Sequence, residues 1–449
     1  MRKLFGTDGI RGVADERPLD GQTTFAIGRA VATYFKQHGG ESRFLIGQDT
    51  RESSQRIGDS VSAGIHAAGG TVVSAGVITT PGVAHLTHTH EYNAGIVISA
   101  SHNPWRDNGI KLFGADGYKL ADEIELAIES EIFRFLGSVT STTNSTFQSL
   151  PGDDSLRAEY ERWLAEHVDT SHFSGLRIVI DCANGAASPV AKELFSRLGL
   201  DVEIIHATPD GRNINENCGA LHPEVVASAV RQGGADLGVT FDGDADRALF
   251  ADHSGNVVNG DAIMLLLARE MKACGTLRNA TVVATTMSNM GLEAALRAGG
   301  IKMLRAPVGD KYVLEQMRAC DAKLGGEQSG HIILSDLATT GDGLLTALKV
   351  VEAVSRSGKT LAELVSDLRV YPQIIKNVKV REKRPLDQLP AVAAAIRDAE
   401  ADLKDSGRVV VRYSGTEALA RVMIEAESKE RMQRYADSIA DAIQRELGL

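Results

Sequence analysis

Cysteine is scarce in this 449-residue chain: Cys182, Cys218, Cys274 and Cys320 are its only four, far apart and with no CxxC pair. That pattern supports neither a disulfide framework nor a zinc site. No apolar run approaches the roughly 20 residues that a bilayer-spanning helix needs, so no membrane partner is expected. The opening Met1-Arg2-Lys3-Leu4-Phe5 carries no apolar leader and no cleavage signal, which predicts a cytoplasmic protein. Basic residues are outnumbered 48 to 59, for a formal net charge of −11. This acidic balance argues against a nucleic-acid partner. It also requires that any anionic substrate be drawn in by a local basic site.

The composition that remains, 43% hydrophobic and 24% charged, is that of an ordinary globular protein. The length suits three or four domains of roughly 100–150 residues each. Residues 1–150 alternate helical patterns (23–38, 53–68, a short helix opened by Pro81, 122–135) with apolar runs at 43–47, 71–76 and 94–99. Such alternation predicts a mainly parallel α/β domain. The Ser/Thr-rich stretch 137–149 has no periodicity and reads as a linker. Residues 151–257 repeat the pattern, with helices at 155–167 and 222–232, strands at 176–181, 201–206 and 235–241, and a hairpin over 247–258. A third unit, 258–370, has helices at 262–272, 311–320 and 343–357 and strands at 281–286, 302–307 and 332–334. The last stretch, 371–449, runs strand, helix, strand, strand, helix and is α+β in character. The expected fold is three α/β mixed-sheet domains followed by a small C-terminal α+β domain.

Four segments carry candidate chemistry. Ser101 lies in Ser99-Ala100-Ser101-His102-Asn103-Pro104, directly after the apolar run. That run reads as a buried strand of a parallel sheet, Pro104 ends it, and open α/β sheets place ligands beyond the carboxyl ends of their strands. Ser101 is therefore a candidate nucleophile or phosphorylated serine, with His102 beside it; the competing reading is a solvated turn. In the second segment Asp242, Asp244 and Asp246 alternate after another apolar strand. Closely spaced carboxylates suit a hard divalent cation. An EF-hand is excluded, because its sixth position would be Arg247 and its twelfth His253. Three carboxylates leave room for water or a phosphate oxygen, which points to Mg²⁺ bound together with a phosphate; the competing reading is a polar turn capping its own amides.

The third segment is the glycine-flanked loop 325–331, in which Glu327 and Ser329 suit sugar hydroxyls. The fourth is Arg412-Tyr413-Ser414-Gly415-Thr416-Glu417, with Arg421 nearby. Ser414, Gly415 and Thr416 offer hydroxyls and amides, and arginine grips phosphate bidentately; a hairpin turn is compatible with that role. Arg11, in Gly6-Thr7-Asp8-Gly9-Ile10-Arg11-Gly12, sits either near an anion or in a plain turn. Lys111 is either a surface lysine or a cation facing the same cleft as Ser101. His85, His88 and His90 have no complementary ligands at zinc spacing and read as a solvated helix end.

Taken together and in this order, the segments resemble the α-D-phosphohexomutase superfamily along the whole chain. The opening motif and Gln328 look like its glucosamine branch. The resemblance implies four domains around a central cleft. It implies interconversion of glucosamine 6-phosphate and glucosamine 1-phosphate, through a phosphoserine at Ser101 and a glucosamine 1,6-bisphosphate intermediate, on the route to UDP-N-acetylglucosamine. It implies one Mg²⁺ held by Asp242, Asp244, Asp246 and the phosphate on Ser101. Arg247 and Lys111 then share the neutralisation of charge, Lys111 or His331 accepts the sugar hydroxyl proton, Glu327 and Ser329 read the sugar, and the C-terminal loop holds the idle phosphate. A homodimer is also implied. One departure stands out: the phosphate loop commonly continues into proline, and this chain has Ala418 there, which removes no phosphate ligand. The alternatives are a mutase for glucose or mannose phosphates, a Mg²⁺-dependent sugar-phosphate phosphatase, and a noncatalytic sugar-phosphate sensor.

Overall fold

The computed structural model describes residues 3–6, 8–39, 42–138, 149–173, 175–414 and 418–448; most of the expected linker lies outside them. The chain forms two units, Met1–Thr285 with Leu304–Val365, and Thr286–Met303 with Ser366–Leu449.

In the first unit, six strands form one sheet in the order Phe5–Gly6, Gly9–Val13, Asp107–Gly114, Ala94–Ile98, Arg43–Gln48, Thr71–Val77. Ala94–Ile98 is buried along its whole length. It runs parallel to Arg43–Gln48 and antiparallel to Asp107–Gly114. Ile96, Val97 and Ile98 have no exposed surface; burying each contributes about 1.5–3 kcal/mol. The sheet is therefore mixed, in keeping with the expected α/β mixed-sheet fold. The strands that the sequence pattern misses, Phe5–Gly6, Gly9–Val13 and Asp107–Gly114, are those in which glycines break the apolar alternation. The opening motif is accordingly a strand edge and not a free turn, with Arg11 paired opposite Gly109.

A second sheet runs Val257–Val258, Ala248–Asp252, Leu237–Phe241, Arg177–Asp181, Asp201–Ile205. Leu237–Phe241 is parallel to Arg177–Asp181, and Ala248–Asp252 returns antiparallel. In a third sheet Leu324–Gly326 is parallel to Thr281–Thr285 and antiparallel to Ile332–Leu334. Each sheet thus ends one parallel strand in a loop that carries candidate chemistry: 99–103, 242–247 and 327–331. No helix among the described residues is long and apolar enough to cross a membrane.

The helix Asp154–Glu166 packs against elements of the first sheet. Asp153 N donates to Ser74 O at 2.7 Å, and Trp163 stacks on His85 with ring centroids 4.2 Å apart. His85 belongs to the helix Thr80–Thr89, which Thr79 caps and Pro81 opens. The solvated-end reading of the three histidines therefore fails for His85, which the helix Asp154–Glu166 covers; His88 is exposed, and His90 pairs with Glu159 at 2.9 Å.

Burial lowers the His85 imidazole to about 4, against the attraction of the Glu159 carboxylate. The unfolded chain binds a proton at this position below about pH 6.5, and the folded chain resists it. The folded-state stability from this group is present above pH 6.5 and is lost as pH falls toward 4. Replacing His85 with phenylalanine should flatten the decline of melting temperature between pH 6.5 and 4. Identical slopes in the two proteins would remove His85 as the cause.

The second unit contains a three-stranded antiparallel sheet, with Leu419–Ala426 between Gln373–Lys379 and Gly407–Tyr413. The helices Pro390–Leu403 and Lys429–Leu447 cover it. Val392, Val422, Ile424, Ile439 and Ile443 form its buried core. This is the α+β arrangement that the sequence pattern predicts.

Candidate active site

Ser101 stands three residues past Ile98, the end of its strand, with a left-handed φ of 53°. Non-glycine residues rarely adopt that conformation, and it persists only where surrounding contacts impose it. Those contacts are present. Ser99 Oγ accepts the Ser101 amide at 2.9 Å. Arg51 donates to Ser101 O at 3.1 Å and to Asn103 O at 2.5 Å. Asn215 donates to the same two carbonyls, at 3.0 and 3.2 Å. Arg51 is itself buried and paired with Asp49. The Ser101 side chain points at the aspartate loop: its Oγ donates to Asp242 Oδ2 at 2.5 Å and lies 3.2 Å from His102 Nδ1.

The close approach of these two loops depends on Gly243, where a Cβ would lie 2.6 Å from Ser101 O. Ligand oxygens of Asp242, Asp244 and Asp246 all fall within 4.8 Å of one another, and all three residues are buried. Asp244 accepts from Thr80 Oγ1 at 2.5 Å and from Lys111 Nζ at 2.8 Å. Asp244 Oδ1 and Asp246 Oδ1 are buried without a hydrogen-bond partner. Burial first, then the Asp246 and Asp244 carboxylates, push Asp242 up to about 8. Hard oxygen donors, buried orphan lone pairs and a retained proton are what a divalent cation displaces and satisfies, so the donor set fits Mg²⁺.

Lys111 is no surface residue. It is 1% exposed, and its ammonium contacts Asp244 at 2.8 Å, Asp8 at 3.2 Å and Asp246 at 3.3 Å. Although burial opposes its charge, those three carboxylates hold its pKa well above the usual lysine value. The ion pairs continue from Asp8 through Lys119 to Asp310, each at 2.5 Å. His331 then lies 3.6 Å from both Asp310 and Asp246, closing a ring of alternating charge. Against the desolvation of its site, those two carboxylates raise the His331 pKa. His102 behaves oppositely: burial, then Arg247 and Arg11, lower it to about 4, so its ring is neutral.

Arg11 pairs with Asp8 at 2.5 Å and donates to Ala100 O at 3.2 Å. Arg247 presents its amide to Asp242 at 3.2 Å, and its guanidinium is 3.9 Å from Asp246. Glu327 accepts the Gly309 amide at 2.9 Å, with Ser329 Oγ 3.4 Å away. Gln328 turns aside to Asp261, donating to it at 3.1 Å. The first unit therefore gathers Ser101, His102, the aspartates, Lys111, Arg11, Arg247 and His331. In the second unit Arg412 and Arg421 face each other across paired strands. Both line a cavity of about 420 Å³, and Lys383 donates to Ser414 O at 2.7 Å. Two guanidinium groups opposed in this way concentrate positive charge and suit an anion. Gly415 and Thr416 lie outside the described residues.

Sequence reasoning misses Arg51, Thr80, Asn215, Lys119, Asp8 and Asp310. Arg51 and Thr80 carried a signal, each three residues past the end of a parallel strand (Arg43–Gln48 and Thr71–Val77), and Asp8 lies within the glycine-rich opening motif. Because Asn215 holds the loop and touches no reacting group, Asn215→Ala should lower kcat by about 10–100-fold while leaving KM nearly unchanged. An unchanged kcat in steady-state assays would refute the holding role.

Four family models match the chain. Residues 2–135, 158–255 and 259–371 match "Phosphoglucomutase/phosphomannomutase, alpha/beta/alpha domain" I, II and III, and residues 375–442 match the C-terminal domain. A phosphoglucosamine mutase of Koribacter versatilis (strain Ellin345) is 61% identical over 454 residues, covering 100% of this chain and 98% of the relative. A solved phosphoglucomutase/phosphomannomutase family protein from Burkholderia thailandensis superposes with a TM-score of 0.80 at 23% identity, covering 100% of both chains. An N-acetylphosphoglucosamine mutase of Aspergillus fumigatus, solved in complex with GlcNAc-6P and magnesium, has a TM-score of 0.66 at 18% identity and covers 99% of this chain and 96% of that one. At such identities the two structures establish likeness of fold.

Proposed function

The chain belongs to the phosphoglucomutase/phosphomannomutase family, and on that premise we propose that it interconverts glucosamine 6-phosphate and glucosamine 1-phosphate. One observation carries the reading: a strained, buried serine whose hydroxyl points into a triad of buried carboxylates, 2.5 Å from Asp242. Ser101 carries the phosphoryl group in the active enzyme. It yields that group to the sugar, and glucosamine 1,6-bisphosphate then returns its other phosphoryl group to the serine.

Asp242, Asp244 and Asp246 would hold Mg²⁺ together with the Ser101 phosphate. When bound, the cation neutralises charge on the transferring phosphoryl oxygens. Lys111 enters as an ammonium, since three carboxylates hold it charged; it is a fixed cation and no base. Arg247 and Arg11 add positive charge around the same loop. His331, whose imidazole gives up its proton far more readily than a lysine ammonium, remains for the sugar hydroxyl proton. When the Ser101 hydroxyl takes back a phosphoryl group, its proton has an acceptor in reach, the neutral His102 Nδ1. Glu327 and Ser329 orient the sugar, while Arg412, Ser414, Gly415, Thr416 and Arg421 hold the idle phosphate.

This reading divides the chain into four domains at 1–150, 151–257, 258–370 and 371–449. It places a homodimer in the cytoplasm, supplying UDP-N-acetylglucosamine synthesis and needing neither nucleic acid nor membrane. The test is an assay of the Ser101-phosphorylated protein with Mg²⁺ and the matching bisphosphate, comparing kcat/KM for glucosamine 1-phosphate, glucose 1-phosphate and mannose 1-phosphate. A clear preference for the amino sugar is expected. Equal or better use of the neutral sugars would overturn the substrate assignment. Release of inorganic phosphate without isomer formation would overturn the mutase itself.

A further inference from the structure

The four cysteines show no metal-binding spacing, yet the second sheet of the first unit brings one of them to a histidine and an aspartate. Asp181 ends the strand Arg177–Asp181. His206 directly follows the neighbouring parallel strand Asp201–Ile205, with a left-handed φ of 49°. Cys218 comes from the next loop. One ligand atom of each falls within 4.8 Å of the other two. We propose that Asp181, His206 and Cys218 form a second metal site, for one borderline-to-soft divalent cation of the Zn²⁺ type, separate from the all-oxygen Mg²⁺ triad.

The donor set argues for that class of ion. A thiolate, an imidazole and a carboxylate are the tetrahedral ligands that zinc takes, and they select against Mg²⁺. Three protein ligands leave a fourth position, and the half-exposed side of His206 opens it to water. Asp181 and Cys218 are fully buried, which supplies the dry, fixed side of the site.

The surrounding groups are those that orient metal ligands. The Asp181 oxygens accept the amides of Ala183 at 2.9 Å and Gly219 at 3.0 Å, which fixes the carboxylate plane. The Asn184 amide group points at Cys218 Sγ from 4.0 Å, where it would support a thiolate. His206 Nδ1 lies 3.1 Å from Asp181 Oδ1 but is buried without a well-formed hydrogen bond. Binding exchanges protons for the cation: the Cys218 thiol gives up its proton to solvent, and the neutral imidazole Nδ1 turns its lone pair to the metal. Burial lifts the free thiol to about 12, so affinity rises with pH.

The probe is Co²⁺ alone, titrated into the metal-stripped full chain in the presence of excess Mg²⁺, which keeps the aspartate triad filled. We expect a thiolate-to-cobalt charge-transfer band that saturates at one equivalent and that Zn²⁺ abolishes. The band should persist in Cys274→Ser and be lost in both Cys218→Ser and His206→Gln. If Cys218→Ser fails to fold, His206→Gln carries the test alone, because its side chain is partly exposed. Absence of the band, or a band that survives either of those two substitutions in a folded protein, overturns the site. Neither result bears on the mutase reading, which the sugar-phosphate assay tests separately.

Discussion

Replacing Ser101 with alanine is expected to lower mutase kcat by on the order of 10⁴-fold or more, with little change in melting temperature. In the proposed mechanism the hydroxyl is the atom to which the phosphoryl group is attached, so nothing else in the site can take over its role. The surrounding contacts that shape the loop go to the backbone of residue 101: Arg51 and Asn215 bind its carbonyl, and Ser99 binds its amide. They survive in the alanine variant. Two side-chain contacts are lost, to Asp242 and to His102 Nδ1. Since burial and two neighbouring carboxylates already favour the protonated form of Asp242, that loss leaves no uncompensated charge. Intact-protein mass spectrometry should show a phosphorylated species in the wild type and none in the variant. Substantial turnover in the variant would exclude the covalent step.

The second large effect is on stability. Lys111→Met removes the ammonium that Asp8, Asp244 and Asp246 share, and methionine preserves most of the volume. Breaking a buried ion pair by deleting one partner typically costs about 3–5 kcal/mol, because the remaining charge is stranded in a low dielectric. Here three carboxylates converge on one cation, so the metal-free variant should melt well below the wild type. A divalent cation at the triad supplies positive charge to the same carboxylates. Mg²⁺ should therefore raise the melting temperature of Lys111→Met by more than it raises that of the wild type. Equal Mg²⁺-induced shifts in the two proteins would show that lysine and metal do not compensate the same charge.

Much of the fold was legible because it is local. Apolar runs such as Ala94–Ile98 and Leu237–Phe241 carry their burial in their composition. The loops that follow them sit at the carboxyl ends of parallel strands, as α/β architecture requires. Ser101, the three aspartates and the Glu327 loop could be read for that reason. Strands interrupted by glycine, such as Gly9–Val13 and Asp107–Gly114, could not, since a residue without a side chain leaves no mark on an alternation pattern.

The supporting cast of the site lay beyond any local pattern. Arg51 reaches Ser101 across 50 residues, Asn215 across 114 and Thr80 reaches Asp244 across 164. Lys119 meets Asp310 across 191 residues, and on sequence alone each could be a solvated charge. Lys111 makes the division plain. Its neighbourhood in sequence left open a surface lysine, a catalytic base or a fixed cation. Three carboxylates brought to it by other strands settle its charge, because ionisation in a buried site follows distance through space, whereas strand, loop and candidate nucleophile follow order along the chain.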